Sequence, residues 1–196
     1  MTMEFDVIAA AWLFVAAAHA LPPPPAPIRL TPEEEEALAE GGIVVRWMGP
    51  DRPTVAVVDV AAPPRRVMDA VMDLPPRVDE ISGLRAVEIY REEPGRVAAR
   101  WEMGVAVYQA HFHIDYAFDL DLGWSVYALD EGRDNDILAS EGSYQVYAAG
   151  SGSRLVYRTT SRSKKDAPDW IRKKLALSSS REMLGGMRTR AEEAAR

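Results

Sequence analysis

His111, His113 and Asp115 are the first residues of this sequence whose types and spacing could do chemistry. They alternate within the run 107–119, and a β-strand points every second side chain to the same face. Two imidazoles and a carboxylate are ligands for zinc or a similar ion. The set falls short of a site: the chain has no cysteine, and the remaining histidine, His19, stands far upstream. Alternation also puts the string opposite Tyr108, Phe112 and Tyr116, on the face that a half-covered sheet turns to water. No metal, and no other cofactor, is expected.

The opposite face holds a different set. Tyr108, Ala110, Phe112, Ile114, Tyr116 and Phe118 point one way. The same parity gathers Val97, Ala99, Trp101 and Met103; Gly142, Tyr144 and Val146; and Leu155, Tyr157 and Thr159. In the run 124–130 both parities are apolar, and a hairpin pairing of Phe118 with Trp124 would place Trp124 inside as well. Apolar rings tipped with hydroxyl or N–H groups suit a pocket for a hydrophobic molecule held by a few hydrogen bonds. Acid–base catalysis would need a titratable group there. Glu102, Glu141, Asp115 and Arg158 fall outward, and Asp59 stands on a strand with two apolar faces, which leaves its direction open. The chain has no nucleophile elbow, phosphate loop, dinucleotide fingerprint or HExxH motif. The residues favour binding over catalysis.

These side chains need a scaffold. Turn-forming clusters at 93–95, 121–123, 131–136 and 150–152 divide the chain into strands at 84–92, 96–103, 107–119, 124–130, 137–148 and 154–162. Connections this short make neighbours antiparallel. Upstream, Thr31-Pro32-Glu33-Glu34 is a capping box that opens a short acidic helix, followed by strands at 43–48 and 54–61. Pro63-Pro64 starts a helix with Val67, Met68, Val71 and Met72 on one face, and a second short helix runs to about Ile81. The last stretch, 166–196, reads as one long helix capped by Asp166 or Ala167, with Pro168 in its first turn. Ile171, Leu175, Ser178 or Ser179, Met183 and Met187 recur on one face of it. Ser178, Ser179, Gly185 and Gly186 are small, so another element packs close or a cavity lies beneath. The order of elements gives an α+β fold: a curved antiparallel sheet wrapped around a long C-terminal helix, with two short helices after the first core strand.

The chain of 196 residues is 47% hydrophobic, enough for one domain with a sizeable core. A net charge of -7 and a pI near 5.1 argue against nucleic acid as a partner. Residues 7–18 form an apolar run of signal-peptide length, and Ala18-His19-Ala20 is an A-x-A cleavage site, although the segment before it is acidic rather than basic. The expected organisation is a signal peptide at 1–20, a proline-rich spacer at 21–29 without packing of its own, and a domain at 30–196. A periplasmic or secreted protein follows.

Several strings in this order resemble the START-like superfamily, the SRPBCC group of polyketide cyclases/dehydrases and lipid-transport proteins. They are Val58-Asp59-Val60-Ala61-Ala62-Pro63-Pro64-Arg65-Arg66-Val67, Gly142-Ser143-Tyr144-Gln145-Val146, Ser153-Arg154-Leu155-Val156-Tyr157, and Pro168 at the last helix. The leader, the helix at 31–36 and the strand at 43–46 resemble an exported bacterial branch of it. The resemblance implies a helix-grip fold and a hydrophobic cavity between sheet and helix. The cavity residues expected are Trp101, Tyr108, Phe112, Tyr116, Trp124, Tyr144, Tyr157, Leu175, Ser179 and Met183. The partner expected is a lipid or other hydrophobic small molecule; a polyketide-cyclase-like enzyme using the same cavity is the alternative. A basic cluster with an aromatic neighbour, Lys164, Lys165, Trp170 and Lys173, is a candidate for transient contact with a membrane surface.

Overall fold

A computed structural model describes residues 21–50, 52–105, 108–164 and 168–196, with the side chains of Val105 and Tyr108 excepted. The leader, Asp166, Ala167 and Lys165 lie outside the described residues.

Thr31 caps helix α1 (Pro32–Ala39) as its sequence requires: Glu34 N donates to Thr31 Oγ1 and Thr31 N donates to Glu34 Oε2. Strands β1 (Ile43–Arg46) and β2 (Thr54–Val60) follow. Helices α2 (Pro64–Met72) and α3 (Arg77–Glu80) come next, separated by the prolines Pro75 and Pro76. The meander is β3 (Leu84–Glu93), β4 (Arg96–Val105), β5 (Tyr108–Asp119), β6 (Trp124–Leu129), β7 (Ile137–Ala149) and β8 (Gly152–Ser163), and helix α4 (Asp169–Glu193) ends the chain. The strands form one antiparallel sheet in the order β1-β2-β8-β7-β6-β5-β4-β3. The α+β helix-grip architecture is therefore the observed one, with the long helix packed on β2, β1, α2 and α3.

The main core lies between the inner face of the sheet and the helices. Val58, Val60, Leu155 and Val146 meet Val67, Met68 and Val71 of α2 and Leu184 and Met187 of α4. The inner face follows the expected alternation on β4, β5, β7 and β8.

Four details differ from the sequence expectation. Asp119, not Phe118, pairs with Trp124, while Tyr116 pairs with Tyr127. This shift by one residue turns Tyr127 inward and Trp124 outward. Secondly, Leu175 is 52% exposed, because the buried stripe of α4 is Ser180, Met183, Leu184, Met187 and Ala191. Leu175 stands nine residues before Leu184, about two and a half turns, and so faces the opposite way. Thirdly, Pro168 occupies the N-cap of α4 without a side-chain cap bond. Finally, the proline-rich segment is no free spacer. It lies on the outer face, where Trp124 Nε1 donates to Pro22 O at 2.7 Å and Gln145 Nε2 to Pro25 O at 2.6 Å. Ile28 and Leu30 pack on a second apolar cluster of Leu38, Val55, Val57 and Val156.

Candidate ligand-binding site

The site begins with a residue that alternation cannot reveal. Arg77 opens α3, a single turn, and is 1% exposed. Pro75 and Pro76 stop α2 and turn the chain so that this turn stands under α4 and beside β3. The Arg77 side chain runs inward beneath the sheet. Its guanidinium lies 5.5 Å from the Trp101 ring and 5.3 Å from the Tyr144 ring. Nη2 donates to Val71 O at 2.5 Å, at the carboxyl end of α2, and Nη1 donates to Tyr144 Oη at 3.1 Å. A cation at the negative end of a helix is partly compensated. Among the described residues no carboxylate bonds to Arg77.

Around it stand the aromatic residues of the inner face. Trp101 stacks on Phe112 at 6.3 Å, across the β4–β5 pair. Tyr144 stacks on Tyr157 at 4.8 Å, and Tyr127 leans on Tyr116, Tyr144 and Tyr157 at 5.5, 5.9 and 6.4 Å. Gly142 makes room for Tyr127. A Cβ at that position would lie 2.5 Å from the Tyr127 hydroxyl and 2.1 Å from Arg158 O. The Tyr127 hydroxyl donates to Thr159 Oγ1 at 2.6 Å and so accepts from Tyr157 at 3.0 Å. Burial raises the pKa of Tyr116, Tyr127 and Tyr144 above the ordinary phenol value, so all three are neutral hydroxyls at neutral pH. Met183 of α4 completes the box: its Sδ accepts from Tyr144 Oη at 3.5 Å and from Arg77 Nη1 at 3.9 Å.

Of the expected cavity residues, the structure brings together Trp101, Phe112, Tyr116, Tyr144, Tyr157 and Met183. Ser179 is half-buried on α4, and the Tyr108 side chain lies outside the described set. Trp124 and Leu175 are corrected: the first is covered by Pro22 on the outer face, and the second faces solvent. Sequence reasoning missed Arg77 and Tyr127. A helix of one turn has no period to read, and β6 is apolar on both faces. The small residues of α4 separate into two kinds. A Cβ on Gly186 would lie 2.3 Å from Glu80, so Gly186 marks close packing, whereas Gly185 has room, with Ile43 at 3.8 Å.

The two halves of α4 are fixed unequally. Beyond Ser180 the helix is tied down: Glu182 accepts from Ser82 N, Glu192 from Ala61 N, Arg188 donates to Gly41 O, and Arg190 binds Glu80 and Asp73. Before Ser180 it has no buried residue, and Trp170 is 69% exposed. The inner-face residues Phe112, Met103, Leu129 and Tyr157 are only partly buried. Two open depressions of about 920 and 360 Å³ flank the sheet, the larger reaching Tyr127, Gly142 and Thr159, and neither is lined by a residue of α4. The larger lies on the outer face beside Leu21 and Pro22, and the smaller lies at the rim between Met72 and Phe118.

The outer face carries the His–His–Asp string, and its members are engaged separately. His111 Nδ1 is 2.7 Å from Asp136, His113 meets Asn135, and Asp115 binds Arg91 and Arg96. Among the described residues no His, Asp and Glu cluster is arranged to hold a metal ion. Asp59 also proves to face outward, where it binds Arg154 at 2.7 Å.

No family model and no curated protein sequence matches the chain. Solved structures do. TTHA0849 of Thermus thermophilus superposes with a TM-score of 0.64 at 19% identity, over 74% of this chain and 99% of that one. The Zhui aromatase/cyclase of a Streptomyces species gives 0.61 at 19%, over 74% and 96%. A STAR-related lipid transfer protein of Xanthomonas axonopodis gives 0.62 at 12%, over 76% and 92%. At such identities the likeness is one of fold, and this chain has the START-like, helix-grip fold.

Proposed function

We propose that this protein binds a hydrophobic small molecule between the aromatic inner face of the sheet and the amino-terminal half of α4, as a carrier rather than a catalyst. One observation carries the reading. Residues 169–179 of α4 include no fully buried side chain, and Ile171 and Leu177 are only half-buried, while Phe112, Met103, Leu129 and Tyr157 of the inner face remain partly uncovered. Apolar surface left open on one wall of a grip is the setting for an apolar ligand. Two neighbours of the same fold, an aromatase/cyclase and a lipid transfer protein, are consistent with it. Native mass spectrometry of protein from its own host, followed by solvent extraction, tests the reading. A discrete bound mass that extracts into solvent supports it; a clean apo mass that no lipid panel shifts ends it.

A second reading has one observation in its favour. A buried guanidinium beside neutral tyrosines is the equipment to stabilise an enolate or another developing oxyanion, as a cyclase needs. Turnover of a poly-β-ketone substrate that disappears in Arg77→Gln would establish it.

The proposal extends to where the cargo is exchanged. Trp170 is exposed at the start of α4, and Lys173 lies 5.9 Å from the Trp47 ring in the same region. With the leader-like run at 7–18, this suggests an exported protein that meets anionic membrane surfaces there. Vesicle binding that ignores anionic lipid content and salt would rule the contact out.

A further inference from the structure

Resting on that reading of the site, we infer that the bound molecule carries a carboxylate, which Arg77 receives in place of the Met183 thioether. Arg77 is the largest fully buried side chain, and it is a permanent cation. Buried charges are normally paired, since an unpaired one costs several kcal/mol of lost hydration. Two other arginines that reach into the protein obey this rule, Arg154 holding Asp59 and Glu35 and Arg190 holding Glu80 and Asp73, whereas the half-buried Arg158 bonds, among the described residues, only to the Gln145 amide oxygen at 3.3 Å. Glu80 sits three residues from Arg77 on the same turn, a spacing at which the two could pair. It binds Arg190 instead.

The donors left over share a neighbourhood. Arg77 Nε and Trp101 Nε1 are buried and make no hydrogen bond. The Tyr116 hydroxyl is the weak partner toward which both residues turn, and it is neutral and offers no charge. Arg77 Nη1 and the Tyr144 hydroxyl converge on one atom, Met183 Sδ. A thioether is a weak acceptor. A carboxylate oxygen in its place would accept charge-assisted bonds from both groups and neutralise the guanidinium. Methionine is also the side chain best able to leave, with its unbranched, flexible stem. It extends from α4 four residues past the stretch 169–179, which has no fully buried side chain. An apolar tail would run from this head along Trp101 and Phe112 toward the uncovered end.

Calorimetry on the delipidated full-length protein tests the inference. The probes are octanoate, dodecanoate, hexadecanoate and 1-naphthoate, each below its aggregation limit and each paired with the corresponding alcohol. At least one acid is expected to bind about tenfold or more tightly than its alcohol. In Arg77→Gln the ratio of acid to alcohol affinity should fall to about one. Equal binding of acid and alcohol to the wild type, or a preference that survives Arg77→Gln, overturns the inference and leaves the hydrophobic site standing. If no member of any pair binds, the site itself fails, and the inference with it. Should Arg77→Gln not fold, carboxyl-labelled dodecanoate on the wild-type protein decides by NMR. A carboxyl seated on Arg77 stays ionised well below the free acid's titration range, and one that titrates normally is not there.

Discussion

One turn of helix carries two ionisable residues treated in opposite ways. Glu80, at the end of α3, has a side chain only 8% exposed and grips Arg190 at 2.5 Å, and Arg190 reaches on to Asp73 at 3.1 Å. Gly186 lies against the Glu80 stem where no side chain fits. This region is a clamp: charge meets charge, and the carboxyl half of α4 is fixed to α3. Arg77, at the start of the same turn, enters a box of Trp101, Tyr116, Tyr144 and Met183 with one strong backbone partner, Val71 O. The clamp is built for stability. The box retains a charge with no carboxylate partner among the described residues, the arrangement expected where a group is kept for what it will bind rather than for what it holds together.

Mutants of the clamp should show the largest losses. Glu80→Gln keeps the shape but leaves the partly buried Arg190 with Asp73 as its one carboxylate partner, and should lower the unfolding free energy by about 2 kcal/mol in urea titration. Gly186→Ala drives a methyl group into the Glu80 side chain and should cost about 1–2 kcal/mol, although alanine is the better helix former. Gly185→Ala is the control one residue away: with open space around it, the gain in helix propensity should stabilise by about 0.5–1 kcal/mol. If the two glycine variants shift the urea midpoint alike, the clamp is not where the helix is held.

The box should respond less. Arg77→Met loses the bonds to Val71 O and Tyr144 but also removes a buried charge, so its unfolding free energy should stay within about 1 kcal/mol of wild type. A loss as large as that of Glu80→Gln would break the comparison and make Arg77 a structural cap for α2. The tyrosines around it supply the smallest effect below alkaline pH. Burial raises the folded-state pKa of Tyr116, Tyr127 and Tyr144, so their contribution to stability is complete below the unfolded phenol value near 10 and is lost as pH rises beyond it. Absorbance titration should show these phenols silent until the protein unfolds. Normal titration of all tyrosines in the folded protein would mean that the box is open to water.

The sequence alone determined the element types, most of their boundaries, and the inner faces of β4, β5, β7 and β8. Those signals are local: a capping box at Thr31, turns rich in glycine and aspartate, and a strict alternation of apolar with polar side chains. The outward direction of His111 and His113 was legible for the same reason. Tertiary structure alone decided the rest. In β6 both faces are apolar, so only the register against β5 could turn Tyr127 inward and Trp124 outward. On α4 the serines and glycines blur the stripe, and contact with α2 and α3 selected Ser180 and Leu184 over Leu175. The proline-rich arm found its place through bonds to Trp124 and Gln145, more than a hundred residues away. Arg77 is the extreme case. A single turn has no periodicity, and an arginine reads as surface until packing carries it inside, because periodicity reports a face whereas burial is settled by contacts between distant parts of the chain.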